Sequence, residues 1–153
     1  LDELHPNNTS TQALAVLMGQ FFNRNNWKRG VVYCDPAGSA KSVTVGWSDI
    51  DVLEAGGWTC EYSYNPVDRH VPYGIERCRV KLKDAGGRTS LYFSRRCLEQ
   101  PRGIIRALQL SEYPSEGRDL SDVPTKDGEY DHARDALRYA IVNLSPEARS
   151  FFA

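Results

Sequence analysis

The sequence has 153 residues, 41% hydrophobic and 25% charged, which is enough apolar material for one packed domain. Its longest uninterrupted apolar stretches, such as Val31–Val32–Tyr33–Cys34, run only a few residues, which excludes a membrane-spanning helix. A net charge of −1 argues against a domain that grips DNA non-specifically over a broad basic face. It leaves room for an enzyme whose acidic centre offsets a local basic rim.

Thr9 or Ser10 is placed to cap a first helix, in which Leu14, Leu17, Met18, Phe21 and Phe22 recur at helical spacing. Asn23–Asn26 ends it. Val31–Cys34 reads as a fully buried strand, entered after Gly30 and closed by Asp35–Pro36. Ser48 caps a short helix, Asp49–Ala55, which Gly56–Gly57 stops. Trp58–Tyr64 is a second strand, halted by Asn65–Pro66. Pro72 fits the first turn of a helix running through Ile75, Cys78 and Leu82. After the turn Ala85–Gly86–Gly87, Thr89–Phe93 is a third short strand. A helix then spans Arg96 to Leu110, with Pro101 near its start, and Ser111–Gly128 is irregular. The last helix runs from Tyr130 to Leu144, with Ala133, Leu137, Ala140, Ile141 and Leu144 as its apolar stripe. This order predicts one α/β domain over residues 1–153 with at least two parallel crossovers. The four cysteines, Cys34, Cys60, Cys78 and Cys97, are widely spaced with no C-x-x-C pair, and read as buried free thiols.

Two places carry chemistry. Asp35 follows a buried strand directly, where open α/β sheets place ligands and catalytic groups. Asp-Pro is also a frequent turn starter, so a capping role stands beside the catalytic one. The adjacent Gly38–Ser39–Ala40–Lys41–Ser42 lacks the spacing of a phosphate-binding loop. On the last helix, Asp131 and Asp135 are one turn apart and share a face with His132. Two such carboxylates repel each other, and a cation would turn that cost into a gain. The alternative is that Asp131 is a helix-start acid and Asp135 pairs with Arg134 or Arg138. Carboxylates without clustered cysteines suit Mg²⁺ or Mn²⁺ rather than Zn²⁺.

Several segments, taken in order, resemble the nuclease domain of tailed-phage terminase large subunits, a branch of the ribonuclease H-like nucleases. Tyr130–Asp131–His132–Ala133–Arg134–Asp135–Ala136–Leu137–Arg138–Tyr139 is similar to the D-H-x-x-D-A-x-R-Y signature that closes that domain. Val32–Tyr33–Cys34–Asp35–Pro36–Ala37–Gly38 is similar to the family strand ending in D-P-A-G or D-P-S-G. Asn65–Pro66–Val67 with Gly74–Ile75–Glu76 and Arg79, then Thr89–Phe93 with Cys97–Leu98, resemble intervening segments. The resemblance covers nearly the whole chain.

It implies a ribonuclease H-like mixed sheet flanked by helices, and a two-metal endonuclease that cuts double-stranded viral DNA in the host cytoplasm. Three acidic ligands are implied. The second maps onto Asp35 and the third onto Asp135, with His132 close to the metal and Asp131 beside it. Two Mg²⁺ or Mn²⁺ ions are the implied cofactors. The first ligand's strand has no counterpart here, and Asp2 and Glu3 are poor substitutes. The natural protein is therefore expected to extend upstream of Leu1, with an ATPase motor first and the missing strands next. Without those strands, Val31–Cys34 would show an apolar edge. The terminase small subunit and the portal protein are the implied partners.

Lys126, Arg95 and Arg96, with Arg102 and Arg106, are candidate contacts to the DNA backbone. Arg69, His70, Arg77, Arg79, Lys81 and Lys83 form a second basic cluster, and for any one of these a solvated surface charge is the alternative. Trp47, Trp58, Tyr62 and Tyr64 read as core or edge packing. The rival to a nuclease is a catalytically inactive module, derived from that domain, that docks DNA or the portal without cutting. Other ribonuclease H-like enzymes, such as junction resolvases and integrases, show no match in their remaining segments.

Overall fold

Ser10 starts the first helix, and it does so as a cap. In the computed structural model its backbone is extended and its hydroxyl accepts from the Ala13 N–H at 3.3 Å, opening α1 (Thr11–Arg24). The structure describes residues 4, 6, 9–44, 46–63, 70–114, 123–126 and 128–144. Leu1, Asp2, Glu3, Tyr64, Asn65, Pro66, Val67 and Arg69, which the sequence singled out, lie outside them. The described residues fall into two compact units, a first one within residues 6–64 and a second one made of Leu4 and the described residues from His70 onward.

In the first unit, α1 turns its small residues inward: Ala15 and Gly19 are buried, and Leu14, Leu17 and Phe21 are only half-buried. The reason is close approach. A Cβ on Gly56 would already stand 3.0 Å from the Ala15 Cβ, so no larger side chain fits between α1 and the end of α2 (Asp49–Ala55). Asn26, at φ 54°, takes the left-handed conformation that asparagine tolerates and turns the chain out of α1. α2 opens on a capping box. The Ser48 hydroxyl accepts from the Asp51 N–H at 3.1 Å, while the Ser48 N–H donates to the Asp51 carboxylate at 2.8 Å.

β1 (Val31–Tyr33) and β2 (Thr59–Glu61) form a parallel pair in the register Val31↔Thr59, Val32↔Cys60, Tyr33↔Glu61. α2 lies between them in the chain. Two expectations are corrected here. β1 is not fully buried, since Val31 is 41% exposed and β2 is its sole ladder partner among the described residues. β2 is also shorter than Trp58–Tyr64. The Trp58 N–H donates to the Leu53 carbonyl at 3.2 Å, so Trp58 completes the end of α2 rather than entering the ladder.

Trp58 is the centre of this unit's core, packed with Ala15 and Leu53 and flanked by Met18, Phe22, Val32, Cys34 and Cys60. Its indole N–H donates to the Ala15 carbonyl at 3.2 Å, and the Phe22 ring meets it edge-on at 5.3 Å. The Arg29 guanidinium lies over the indole at 4.8 Å and donates to the Gly56 and Gly57 carbonyls, both at 3.1 Å. One side chain thus covers the tryptophan and satisfies two carbonyls at the end of α2.

The second unit holds α3 (Val71–Leu82), α4 (Ile104–Gln109) and α5 (Asp131–Leu144). Its core is Cys78, Leu91, Cys97, Ile104, Leu137 and Ile141. Pro72 does sit in the first turn of α3. The third strand, Thr89–Phe93, does not form. The N–H groups of Ser90 and Leu91 both donate to the Lys81 carbonyl, at 2.9 and 3.0 Å, so the segment folds back on the end of α3 and sinks Leu91 into the core. The long helix Arg96–Leu110 is split into a 3₁₀ turn, Arg95–Glu99, and α4. Pro101 is the cause: it has no N–H to continue the helix and holds Gln100 extended (φ −86°, ψ 113°).

The chain is therefore a mixed α/β structure, mostly helical, with a small two-stranded parallel sheet and one parallel crossover among the described residues rather than two. None of the described helices is long and apolar enough to cross a membrane.

Candidate functional site

α5 brings together three of the residues that the sequence singled out. It exists as a helix because Leu137 and Ile141 reach the core from one face, with Ala133 packed beside them. The buried face is turned from the expected stripe. Leu144 is 60% exposed, and Arg138 and Val142 are buried instead. They face α3 at Gly74, where an added Cβ would lie 2.4 Å from the Arg138 Cγ and 3.6 Å from the Val142 Cγ2. Only glycine lets the arginine stem pass.

Both carboxylates on α5 have arginine partners at i+3. Arg134 donates to Asp131 Oδ1, and the Gly128 N–H donates to Asp131 Oδ2 at 3.0 Å, so both oxygens of Asp131 are engaged. Arg134 also reaches the Ser111 hydroxyl and the Thr125 carbonyl, at 3.2 and 3.3 Å, and so ties the preceding segment to the start of the helix. Asp135 is arranged differently. Arg138 donates through Nε (3.3 Å) and Nη2 (3.0 Å) to the same oxygen, Oδ1. The arginine side chain is 7% exposed and the carboxylate 43%. Asp135 Oδ2 has no hydrogen bond among the described residues. His132 is exposed on the neighbouring turn.

Asp35 stands exposed after β1, as the cap of the 3₁₀ turn Pro36–Ser39. Its Oδ1 accepts from the Ala37 N–H at 2.9 Å, and Oδ2 has no hydrogen bond among the described residues. It belongs to the first unit, whereas Asp131, His132 and Asp135 belong to the second. Among the described residues no three His, Cys, Asp or Glu side chains gather as a metal-holding group. By donor chemistry, Asp35 and Asp135 fit a hard divalent cation, each with one carboxylate oxygen to give. Asp131 already accepts a hydrogen bond on each oxygen, and its remaining lone pairs are what it would offer a cation.

The basic candidates are on the surface. Arg95 and Arg96 are exposed on the 3₁₀ turn, and Lys126 is exposed ahead of α5. Arg102 and Arg106 line a cavity of about 480 Å³ with Glu129 and Tyr130, just before α5, and Arg102 pairs with Glu129 at 3.2 Å. In the other cluster, Arg79 lies against the Tyr113 ring and Glu76. Arg77 buries its Nε without a hydrogen bond among the described residues. Trp58 is core as expected, but Trp47 is 54% exposed and Tyr62 37%.

All four cysteines are free thiols. Cys78 and Cys97 are buried, and Cys34 and Cys60 are half-buried. Burial, then the adjacent Cys60, pushes Cys34 from 9.0 up to about 12. Burial pushes Cys78 up to about 11, against the opposing pull of Arg138. The folded chain thus keeps protons that the unfolded chain releases, so these thiols' contribution to stability is full below about pH 9 and is lost as pH rises toward those values. Urea midpoints at neutral pH and at about pH 10 should show this decline, and Cys34→Ala should reduce it. An unchanged pH slope in Cys34→Ala would refute the assignment. Native Cys34 should also react with iodoacetamide more slowly than an unhindered cysteine.

Comparison with family models, with curated proteins and with solved structures gave no match.

Proposed function

We propose that this chain is the nuclease domain of a viral DNA-packaging terminase large subunit, a ribonuclease H-like endonuclease acting on double-stranded DNA. The observation that carries the reading is Asp135. It is a half-exposed carboxylate with one oxygen held by a buried arginine and the other without a hydrogen bond among the described residues, one turn from an exposed histidine, inside the segment most similar to the family signature. The parallel β1–α2–β2 crossover, with Asp35 following β1, supports the same reading.

Asp135 and Asp35 would each supply a carboxylate oxygen to Mg²⁺ or Mn²⁺. When bound, two such ions lower the pKa of the attacking water and neutralise charge at the leaving 3′ oxygen. His132 would exchange a proton with water or product near Asp135. Arg95, Arg96 and Lys126, together with Arg102 and Arg106, would hold phosphates. Contacts of that kind position the duplex and carry no base information, so cutting should depend little on sequence. The terminase small subunit and portal protein are the partners that this reading implies.

A plasmid-relaxation assay in Mn²⁺ tests the proposal. Asp135→Ala and Asp35→Ala should each reduce cutting by at least about a hundredfold, since even partners of metal ligands are worth 10–100-fold. Cutting by Asp135→Ala at the wild-type rate would sink the assignment.

One observation favours a second reading, an inactive DNA- or portal-binding module derived from the same domain. Asp131 accepts from Arg134 and from the Gly128 N–H, one bond on each oxygen, as a helix-start acid would. That module would shift duplex DNA in a gel, with or without Mn²⁺, and never nick it.

A further inference from the structure

Arg138 is an expensive residue to bury. Its side chain is 7% exposed, its Nη1 is buried without a hydrogen bond among the described residues, and its stem requires glycine at position 74. A buried donor left unmatched is destabilising. A methionine would fill the same space against α3 without that cost, and buried ion pairs are often no better for stability than an apolar replacement. The arginine is therefore poorly explained as a stability device. What it does instead is visible in its other two nitrogens. Nε and Nη2 converge on one oxygen of Asp135, while the guanidinium carbon lies over the Tyr139 ring, 4.5 Å from its centroid.

We propose that Arg138 is a positioning residue: it locks the rotamer of Asp135 by gripping Oδ1 from inside the helix pair, so that Oδ2 alone is presented outward to a divalent cation. This rests on the nuclease reading for the identity of the cation, and on the geometry for the grip. The half-exposed carboxylate of Asp135 would otherwise sample several rotamers, and a ligand oxygen that must first be ordered binds more weakly. A planar guanidinium anchored by Gly74, Tyr139 and its own buried stem supplies that order in advance. Lysine cannot do the same, because its single ammonium has no fork to place two N–H groups on one oxygen.

The test compares wild type with Arg138→Met, Arg138→Lys and Asp135→Ala. The three-bond Hα–Hβ couplings of Asp135 report its rotamer with no metal present, and the loss of the free Mn²⁺ electron paramagnetic resonance signal reports binding. Thermal unfolding checks that each variant is folded. The expected result is a single Asp135 rotamer in wild type and averaged couplings in Arg138→Met. Mn²⁺ affinity should fall about 10–100-fold in the same variant, with no loss of melting temperature. Arg138→Lys should also average and bind weakly, and it carries the comparison if Arg138→Met does not fold. An Asp135 that stays in one rotamer in a folded Arg138 variant, with Mn²⁺ affinity within twofold of wild type, overturns the proposal. If the couplings average but Asp135→Ala leaves Mn²⁺ binding unchanged, the metal reading of Asp135 fails, and the proposed use of Arg138 fails with it.

Discussion

Trp58→Ala should cost about 3–5 kcal/mol, the range for truncating a large buried aromatic. Trp58 is 4% exposed and contributes more than area. Its loss removes the edge contact with Phe22, leaves the Ala15 carbonyl without its indole donor, and takes away the ring beneath Arg29. Because Arg29 also satisfies the Gly56 and Gly57 carbonyls, the end of α2 should loosen with the core. Amide exchange should therefore accelerate most in α1, α2 and the β1–β2 ladder, and the urea midpoint should drop. Trp58→Phe isolates the polar part: it keeps most of the packing, loses the indole N–H, and should cost about 1–2 kcal/mol. A penalty below about 1 kcal/mol for Trp58→Ala would show that this residue does not organise the unit.

Gly74→Val is the second large effect, at about 3 kcal/mol. Alanine would already place a Cβ at 2.4 and 2.6 Å from the Arg138 Cγ and Cδ. Those carbons cannot swing aside as a flexible tip would, because the guanidinium beyond them is fixed by Asp135 and Tyr139. Either α3 moves off α5 or Arg138 leaves Asp135. The usual gain of about 1 kcal/mol from replacing a helical glycine by a better helix former is outweighed. A double-mutant cycle with Arg138→Ala checks the cause, because a shortened side chain at 138 makes room for the new methyl groups. The pair should cost less than the sum of the single changes by at least about 1 kcal/mol. Strict additivity would mean that the clash lies elsewhere.

Local chemistry was the part of this structure most legible from sequence. Ser10, Ser48, Pro72 and the ends of α2 act as their residue types dictate, since caps and helix-start prolines depend on a few neighbouring backbone groups. What failed depended on distant partners. Thr89–Phe93 has the composition of a strand, but a strand needs a ladder, and its N–H groups find the Lys81 carbonyl instead. The stripe on α5 was read from apolar residues alone, which cannot show that an arginine is taken inside. The signal was present in two places: Arg138 adjoins Leu137 on the core-facing arc, and α3 carries a glycine in its interior at 74. Of the candidate site, the shared face of Asp131, His132 and Asp135 was legible, whereas the inequality of the two carboxylates was not. Asp131 accepts on both oxygens, from Arg134 and from Gly128, whereas Asp135 accepts on Oδ1 alone among the described residues.

The capping box on α2 bears on the order of folding. β1 and β2 are parallel, so their ladder can close only after the chain between Tyr33 and Thr59 has turned back, and α2 is the ordered helix nearest that return. Three residues per strand offer too few contacts to find their register unaided. The reciprocal bonds of Ser48 and Asp51 set where α2 begins, and the Trp58 N–H on the Leu53 carbonyl sets where β2 can start. A helix nucleated one residue late would shift Thr59 against Val31 and reverse the faces of the short strand. Ser48→Ala should therefore slow refolding more than it speeds unfolding, a high φ-value far from any ligand, and a value near zero would place the helix after the sheet in time.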